Sequence, residues 1–115
     1  MIRFIKSFKF AFAGIKYAFV TQGNFRFHTG AMVIVVLMGF FFNLSIIEWL
    51  WIIAAIGLVL CVELVNTAIE TIVDLVSPDY HVKAGIIKDV SAGAVLIISI
   101  LAAGIGLMIF VPKFF

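Results

Sequence analysis

From Ile46 to Val76 the chain runs for 31 residues without a proline and without a break in helical pattern. At about 1.5 Å per residue such a helix reaches about 46 Å, well beyond a hydrocarbon core of about 30 Å. One end must therefore stand in water, and the residues divide to match. The first half, IIEWLWIIAAIGLVLCV, is apolar except for Glu48, while the second half carries Glu63, Asn66, Glu70 and Asp74. Composition agrees with a bilayer as solvent: 65% of residues are hydrophobic, 12% are charged, and the mean hydropathy is +1.30. A soluble domain carries about 25% charge, and 13 Phe in 115 residues exceed what so small a domain can bury. A soluble monomer and a disordered tail are both excluded. The single Cys61 forms no internal disulfide and, within an apolar run, reads as a small hydrophobe.

Two further apolar runs have the character of spans, one over 28–43 and one over 90–111, the latter closed by Pro112. Pro78 ends the long central helix and opens a polar loop, SPDYHVKAGIIKD, over 77–89. The first twenty residues differ from the rest. Arg3, Lys6, Lys9 and Lys16 fall within an arc of about 140° on a helical wheel, opposite Phe4, Phe8, Phe12, Ile15 and Phe19. That pattern predicts an amphipathic surface helix over 1–20, lying among lipid headgroups. Intermixed basic and apolar residues, with no A-x-A-like site, do not make a cleavable signal peptide. The expected architecture is all-α: a surface helix plus three transmembrane helices in one domain, 1–115.

Seven of the eight basic residues lie in the N-terminal segment and the 77–89 loop, and the turn between Asn43 and Glu48 has none. Basic loops stay in the cytoplasm, so the N-terminus and the 77–89 loop are expected there and the C-terminus outside. A net charge of +2 with no basic patch argues against nucleic acid as a partner.

Chemistry is concentrated on the central helix. At about 100° per residue, Glu63, Asn66, Glu70 and Asp74 form one stripe about 80° wide. Three carboxylates on one face repel one another, and each is costly to bury without a partner. Either a cation sits among them or protons are retained. Counting about twenty residues from Ile46 puts Glu63 just inside the hydrocarbon boundary, Asn66 at the interface, and Glu70 and Asp74 beyond it. A carboxylate in apolar surroundings holds a proton more readily than one in water, which suits a general base. A carboxylate beside an amide nearer the water suits a hard cation such as Mg²⁺. The 77–89 loop adds His81, Lys83 and Lys88 as donors, while Asp89 is equally placed to cap the third span. Such a stripe would also serve a small cation or proton carrier, and a non-catalytic membrane subunit is the third alternative. No Walker-type Gly-rich loop is present.

The run ELVNTAIETIVDLVSPDYHVKAGIIKDVSAGAVL, 63–96, resembles the signature of the small prokaryotic integral-membrane diacylglycerol kinases, which include the undecaprenol kinases. The spacing E-x-x-N-x-A-I-E-x-x-x-D, the YH pair and the KD ahead of the third span all match, and NFRFH at 24–28 resembles the family's stretch before its first span. The resemblance runs from Arg3 to the third span, and NFRFH with the YH and KD pairs looks more like the undecaprenol-kinase branch. It implies transfer of the γ-phosphoryl of Mg-ATP to a membrane-lipid hydroxyl, undecaprenol or diacylglycerol, by a homotrimer with composite sites.

Residue by residue, the resemblance makes Glu63 the general base, Asn66 its positioning partner and Glu70 a Mg²⁺ ligand. Asp79, Tyr80, His81, Lys88 and Asp89 match nucleotide-contacting positions, as does Arg3 in the surface helix. Two positions depart from the family. Gln22 stands where a second metal-binding Glu is usual, and an amide oxygen ligates without adding negative charge. Phe10 stands where some members have Tyr, keeping a stacking face and losing the phenol. Three spans cannot enclose a site, so in a lone chain the stripe is expected to face lipid. Small residues on the third span (Ala92, Gly93, Ala102, Ala103, Gly104, Gly106) permit close helix contacts between copies or within one.

Overall fold

Three short interruptions cut the chain into four helices. The computed structural model describes all residues from Met1 to Phe115, with α1 over Ile2–Thr21, α2 over Gly23–Phe41, α3 over Ile46–Val76 and α4 over Val82–Phe114. No strand is present. The helices α2, α3 and α4 are each long and apolar enough to cross a membrane.

The first break is the single residue Gln22, whose extended backbone (φ −113°, ψ 110°) separates α1 from α2. The first apolar run was expected over 28–43, yet its helix begins five residues earlier, at Gly23. Arg26 explains the early start. Its guanidinium donates to the carbonyls of Phe19 (2.8 Å) and Val20 (2.9 Å), two acceptors that the end of α1 leaves free. A cation at a helix C-terminus also meets the negative end of the helix dipole, so Arg26 secures α1 from the first turn of α2.

The second break is a tight reversal. Asn43 takes the left-handed conformation (φ 52°), which Asn tolerates better than most side chains. Leu44 N–H then donates to Gly39 O (3.2 Å) and Asn43 N–H to Phe40 O (3.4 Å), the paired bonds of a Schellman motif. Ser45 and Glu48 form a reciprocal capping box at the start of α3, with bonds of 3.2 and 3.0 Å. Glu48 also meets Lys113 at 3.1 Å, joining the start of α3 to the end of α4. Around this corner lies the apolar core of Leu44, Ile52 and Phe110, flanked by Met38, Phe42 and Trp49.

The third break is shorter than its sequence suggests. Residues 77–89 were expected as a polar loop, but only 77–81 are non-helical. The N-cap of α4 is His81, whose Nδ1 accepts from Lys83 N–H at 3.1 Å. Asp89 is therefore no cap; it lies two turns inside the helix. Beyond Pro78, KAGIIKD keeps apolar residues at helical spacing, and nothing in it stops a helix. At the other end α4 continues past the expected boundary, Val111, to Phe114. Pro112 lies in the last turn, where its missing N–H costs the helix one bond and its fixed φ remains helical.

α3 packs chiefly against α4, with α2 along its other side. Its buried residues, Ile52, Ala55, Val59, Glu63, Asn66, Thr67 and Val73, recur at intervals that keep them on one face. The polar stripe continues that apolar stripe along the same face.

Candidate functional site

That continuity decides where the carboxylates go. Glu63 is 1% exposed and Asn66 9% exposed within a single chain. The expectation that the stripe faces lipid in a monomer is thus corrected for its inner half. The turn at Gln22 brings the start of α2 over α3, and α4 covers the other side.

A buried carboxylate needs a donor, and for Glu63 that donor comes from α2. His28 Nδ1 lies 2.5 Å from Glu63 Oε1, with the imidazole itself about four-fifths covered. Thr67 Oγ1 donates to the Glu63 carbonyl at 2.9 Å and so has no free role beside the carboxylate.

One turn outward, Asn66 joins three helical positions. Ser91 Oγ on α4 donates to Asn66 Oδ1 at 2.6 Å, and Asn66 Nδ2 donates to Glu70 Oε1 at 3.3 Å. A carboxylate only accepts, so the amide nitrogen must face Glu70 and the amide oxygen must face Ser91. Asn66 is fixed at both ends, and Glu70 keeps its second oxygen free of protein donors. Two turns out, Asp74 is paired with Lys88 at 2.6 Å, in solvent and ahead of the apolar stretch of α4. The hydrogen bond to Asp74, with the added charge of Asp74 and Glu70, holds the Lys88 ammonium above its ordinary 10.5.

The remaining candidates are spread around this core. Gln22 is half-buried at the α1–α2 break, and its side chain makes no hydrogen bond to Glu70. Phe10 lines a cleft of about 550 Å³ between α1 and α3, together with Tyr17, Leu64, Thr67 and Thr71. Arg3, Asp79, Tyr80 and Asp89 are exposed and make no side-chain hydrogen bond or ion pair with the stripe. His81 is occupied as the α4 cap. A third feature is an open apolar groove of about 620 Å³ between α2, α3 and α4, running from Phe27 and His28 to Phe110 and Phe114. His28 lines its head, and Glu63 lies behind that imidazole, outside the lining of the groove.

His28 and Ser91 are the two site residues that sequence reasoning passed over. His28 stands in NFRFH and Ser91 follows KDV, so both lie within motifs already singled out. Their partners are 35 and 25 residues away, and only the packing of helices shows the pairing.

A carboxylate stripe buried at its inner end, beside an apolar groove on three helices long and apolar enough to cross a membrane, marks the site of a membrane protein. The sequence pattern described as Prokaryotic diacylglycerol kinase matches residues 9–110. The undecaprenol kinase of Bacillus subtilis is 46% identical over 111 residues, which is 96% of this chain and 90% of that protein. A diacylglycerol kinase of Synechocystis is 43% identical over 107 residues, 92% of this chain and 61% of that longer protein. The diacylglycerol kinase of Escherichia coli K12 is 32% identical over 100 residues, 87% of this chain and 82% of that one. The chain belongs to the prokaryotic diacylglycerol kinase family and is a lipid kinase of the membrane.

Kinases of this kind use ATP, usually with a divalent metal, and the donor set bears on how a metal would be held. No three His, Cys, Asp or Glu side chains converge in the chain, so it builds no all-protein cage. Mg²⁺ in phosphoryl-transfer sites takes one or two carboxylates and completes its shell with phosphates and water. Glu70, with one oxygen oriented by Asn66 and the other free, fits that partial set.

Proposed function

We propose that this chain transfers the γ-phosphoryl of Mg-ATP to the hydroxyl of undecaprenol or diacylglycerol at the cytoplasmic face of the membrane. The observation that carries the reading is the order along one face of α3: a buried carboxylate, a doubly anchored amide, a half-exposed carboxylate, then an ion pair in water.

In this reading the apolar chain of the lipid lies along the groove, and its hydroxyl meets Glu63. Glu63 takes the hydroxyl proton as the lipid oxygen bonds to the γ-phosphorus. The bond from that phosphorus to the bridging oxygen breaks, and ADP leaves with the electron pair. Asn66 orients Glu70 and the reacting groups. Glu70 would hold Mg²⁺ with Gln22 as a neutral second ligand, and the metal supplies charge neutralisation on the phosphates. Lys88 exchanges Asp74 for a phosphate oxygen when nucleotide arrives. Asp89, Asp79, Tyr80 and His81 contact the nucleotide, with Arg3 and the ring of Phe10 reaching it from α1. The basic face of α1 rests on lipid headgroups, and the working unit is a homotrimer.

The N-terminus and the α3–α4 linker are read as cytoplasmic. Support comes from Lys113, the one basic residue near the far end, whose charge is met by Glu48. Undecaprenol is favoured over diacylglycerol by the 46% identity to an undecaprenol kinase across 90% of its length.

The test is direct. Purified protein in lipid, given Mg-ATP, forms the phosphorylated product from one of the two lipids. A folded preparation that yields no product from either, with metal present, contradicts the kinase reading. Cation flux through the same protein in sealed vesicles would establish the carrier alternative.

A further inference from the structure

The pairing of His28 with Glu63 is not accounted for by the reaction as described, which asks of Glu63 only that it accept a proton. Glu63 is nearly the most enclosed side chain of the molecule: 1% exposed, at the end of a buried apolar run of α3 formed by Ile52, Ala55 and Val59. An ionised carboxylate in such a place is costly unless a donor offsets the loss of water. The geometry points to His28 as the positioning residue for the catalytic base, donating from Nδ1 to Glu63 Oε1 so that the carboxylate is held in place and aimed at the lipid hydroxyl. This rests on the assignment of Glu63 as the base.

Three observations join in this. First, the 2.5 Å contact is the one side-chain hydrogen bond or ion pair made by the Glu63 carboxylate. Second, His28 is placed by backbone geometry. The break at Gln22 and the Arg26 bonds to Phe19 and Val20 set the start of α2, so the imidazole projects from the second turn of a helix already fixed at its origin. Third, the imidazole also lines the head of the groove between α2, α3 and α4, so the donor stands between the groove and the carboxylate it holds. During transfer the lipid O–H bond breaks and a new O–H bond forms on the carboxylate oxygen that His28 does not hold. The Nδ1 proton stays on the imidazole throughout. Without the donor, the carboxylate is free to turn away from the lipid hydroxyl, which removes it as acceptor.

The experiment compares His28→Phe, His28→Leu and His28→Asn in the full chain, purified in lipid, with helical content and oligomer size measured for each. Phe and Leu keep apolar volume without a donor, whereas Asn keeps an N–H at nearly the Nδ1 position. The expected result for Phe and Leu is a fall in kcat of about 10- to 100-fold, the size found when the partner that orients a reactive ligand is removed. KM for lipid and ATP stays within about twofold, since neither substrate is bound by this contact. His28→Asn recovers most of kcat. A variant without the donor that turns over within about twofold of the parent overturns the inference, as does a folded His28→Asn protein as slow as His28→Phe. Glu63→Gln, run alongside, separates the two levels: if it is inactive while His28→Phe is fully active, only the role of His28 fails. If Glu63→Gln is itself active, the assignment of the base fails first.

Discussion

Asn66 shows what a single residue contributes to this site. Buried amides are costly without partners, and Asn66 has one at each end, Ser91 on α4 and Glu70 one turn along α3. The stripe itself was legible in sequence because helical periodicity converts spacing into direction. What spacing cannot give is the partner, and so Ser91 and His28 went unread while Glu63, Asn66, Glu70 and Asp74 did not. The same limit hid the partner of Lys88, a residue that spacing did single out: its segment is helix, and its ammonium meets Asp74. Gln22 is the residue where chemistry and sequence pattern diverge most. In the proposed metal site, replacing it with Glu would add a negative charge to a neutral ligand, and the expected outcome is a lower Mg²⁺ concentration at half-maximal rate, by about tenfold. An unchanged metal titration would place Gln22 outside the metal site.

At the scale of elements, the ends of the helices carry more information than their middles. The apolar runs were plain, but each boundary was set by a side chain acting across a break: Arg26 on the end of α1, Ser45 with Glu48 at the start of α3, and His81 at the start of α4. A proline read as a stop at 112 did not act as one, since the last turn of a helix has little left to lose. Gly39 offers a test of the α2–α3 corner. A Cβ there would sit 2.5 Å from Trp49 Cη2 and 3.1 Å from Leu44 Cδ1, so a methyl group must push the indole off its packing. Gly39→Ala is expected to destabilise the fold by about 1–3 kcal/mol, read as a lower melting temperature in lipid. Activity of the folded fraction should be unaltered, because the corner and the stripe lie at opposite ends of α3. An unchanged melting temperature would mean that Trp49 relaxes freely.

For the whole molecule, the scarcity of charge takes on a definite shape. Of six acidic residues, Glu63, Glu70 and Asp74 line one face of α3, Asp79 and Asp89 lie near the α3–α4 linker, and Glu48 holds the opposite end together. One chain covers Glu63, yet it leaves Glu70 half-exposed and Asp74 in solvent. Gly57, Gly93, Gly104 and Gly106 have open space beside them, which suits close approach by a second helix. Those features support a site completed by neighbouring copies. Chemical cross-linking in native membranes should give a ladder ending at three copies, and a product confined to single chains would contradict the trimer.

The most direct measurement of the central claim, that the buried end of this stripe performs phosphoryl transfer, is the rate of lipid phosphorylation by Glu63→Gln beside the parent at saturating Mg-ATP and lipid. Removing a general base costs about 100-fold or more, while the amide keeps the volume of the carboxylate. The account predicts a loss of at least that size with both substrates still bound. A Glu63→Gln protein that phosphorylates lipid at the parent rate would contradict it.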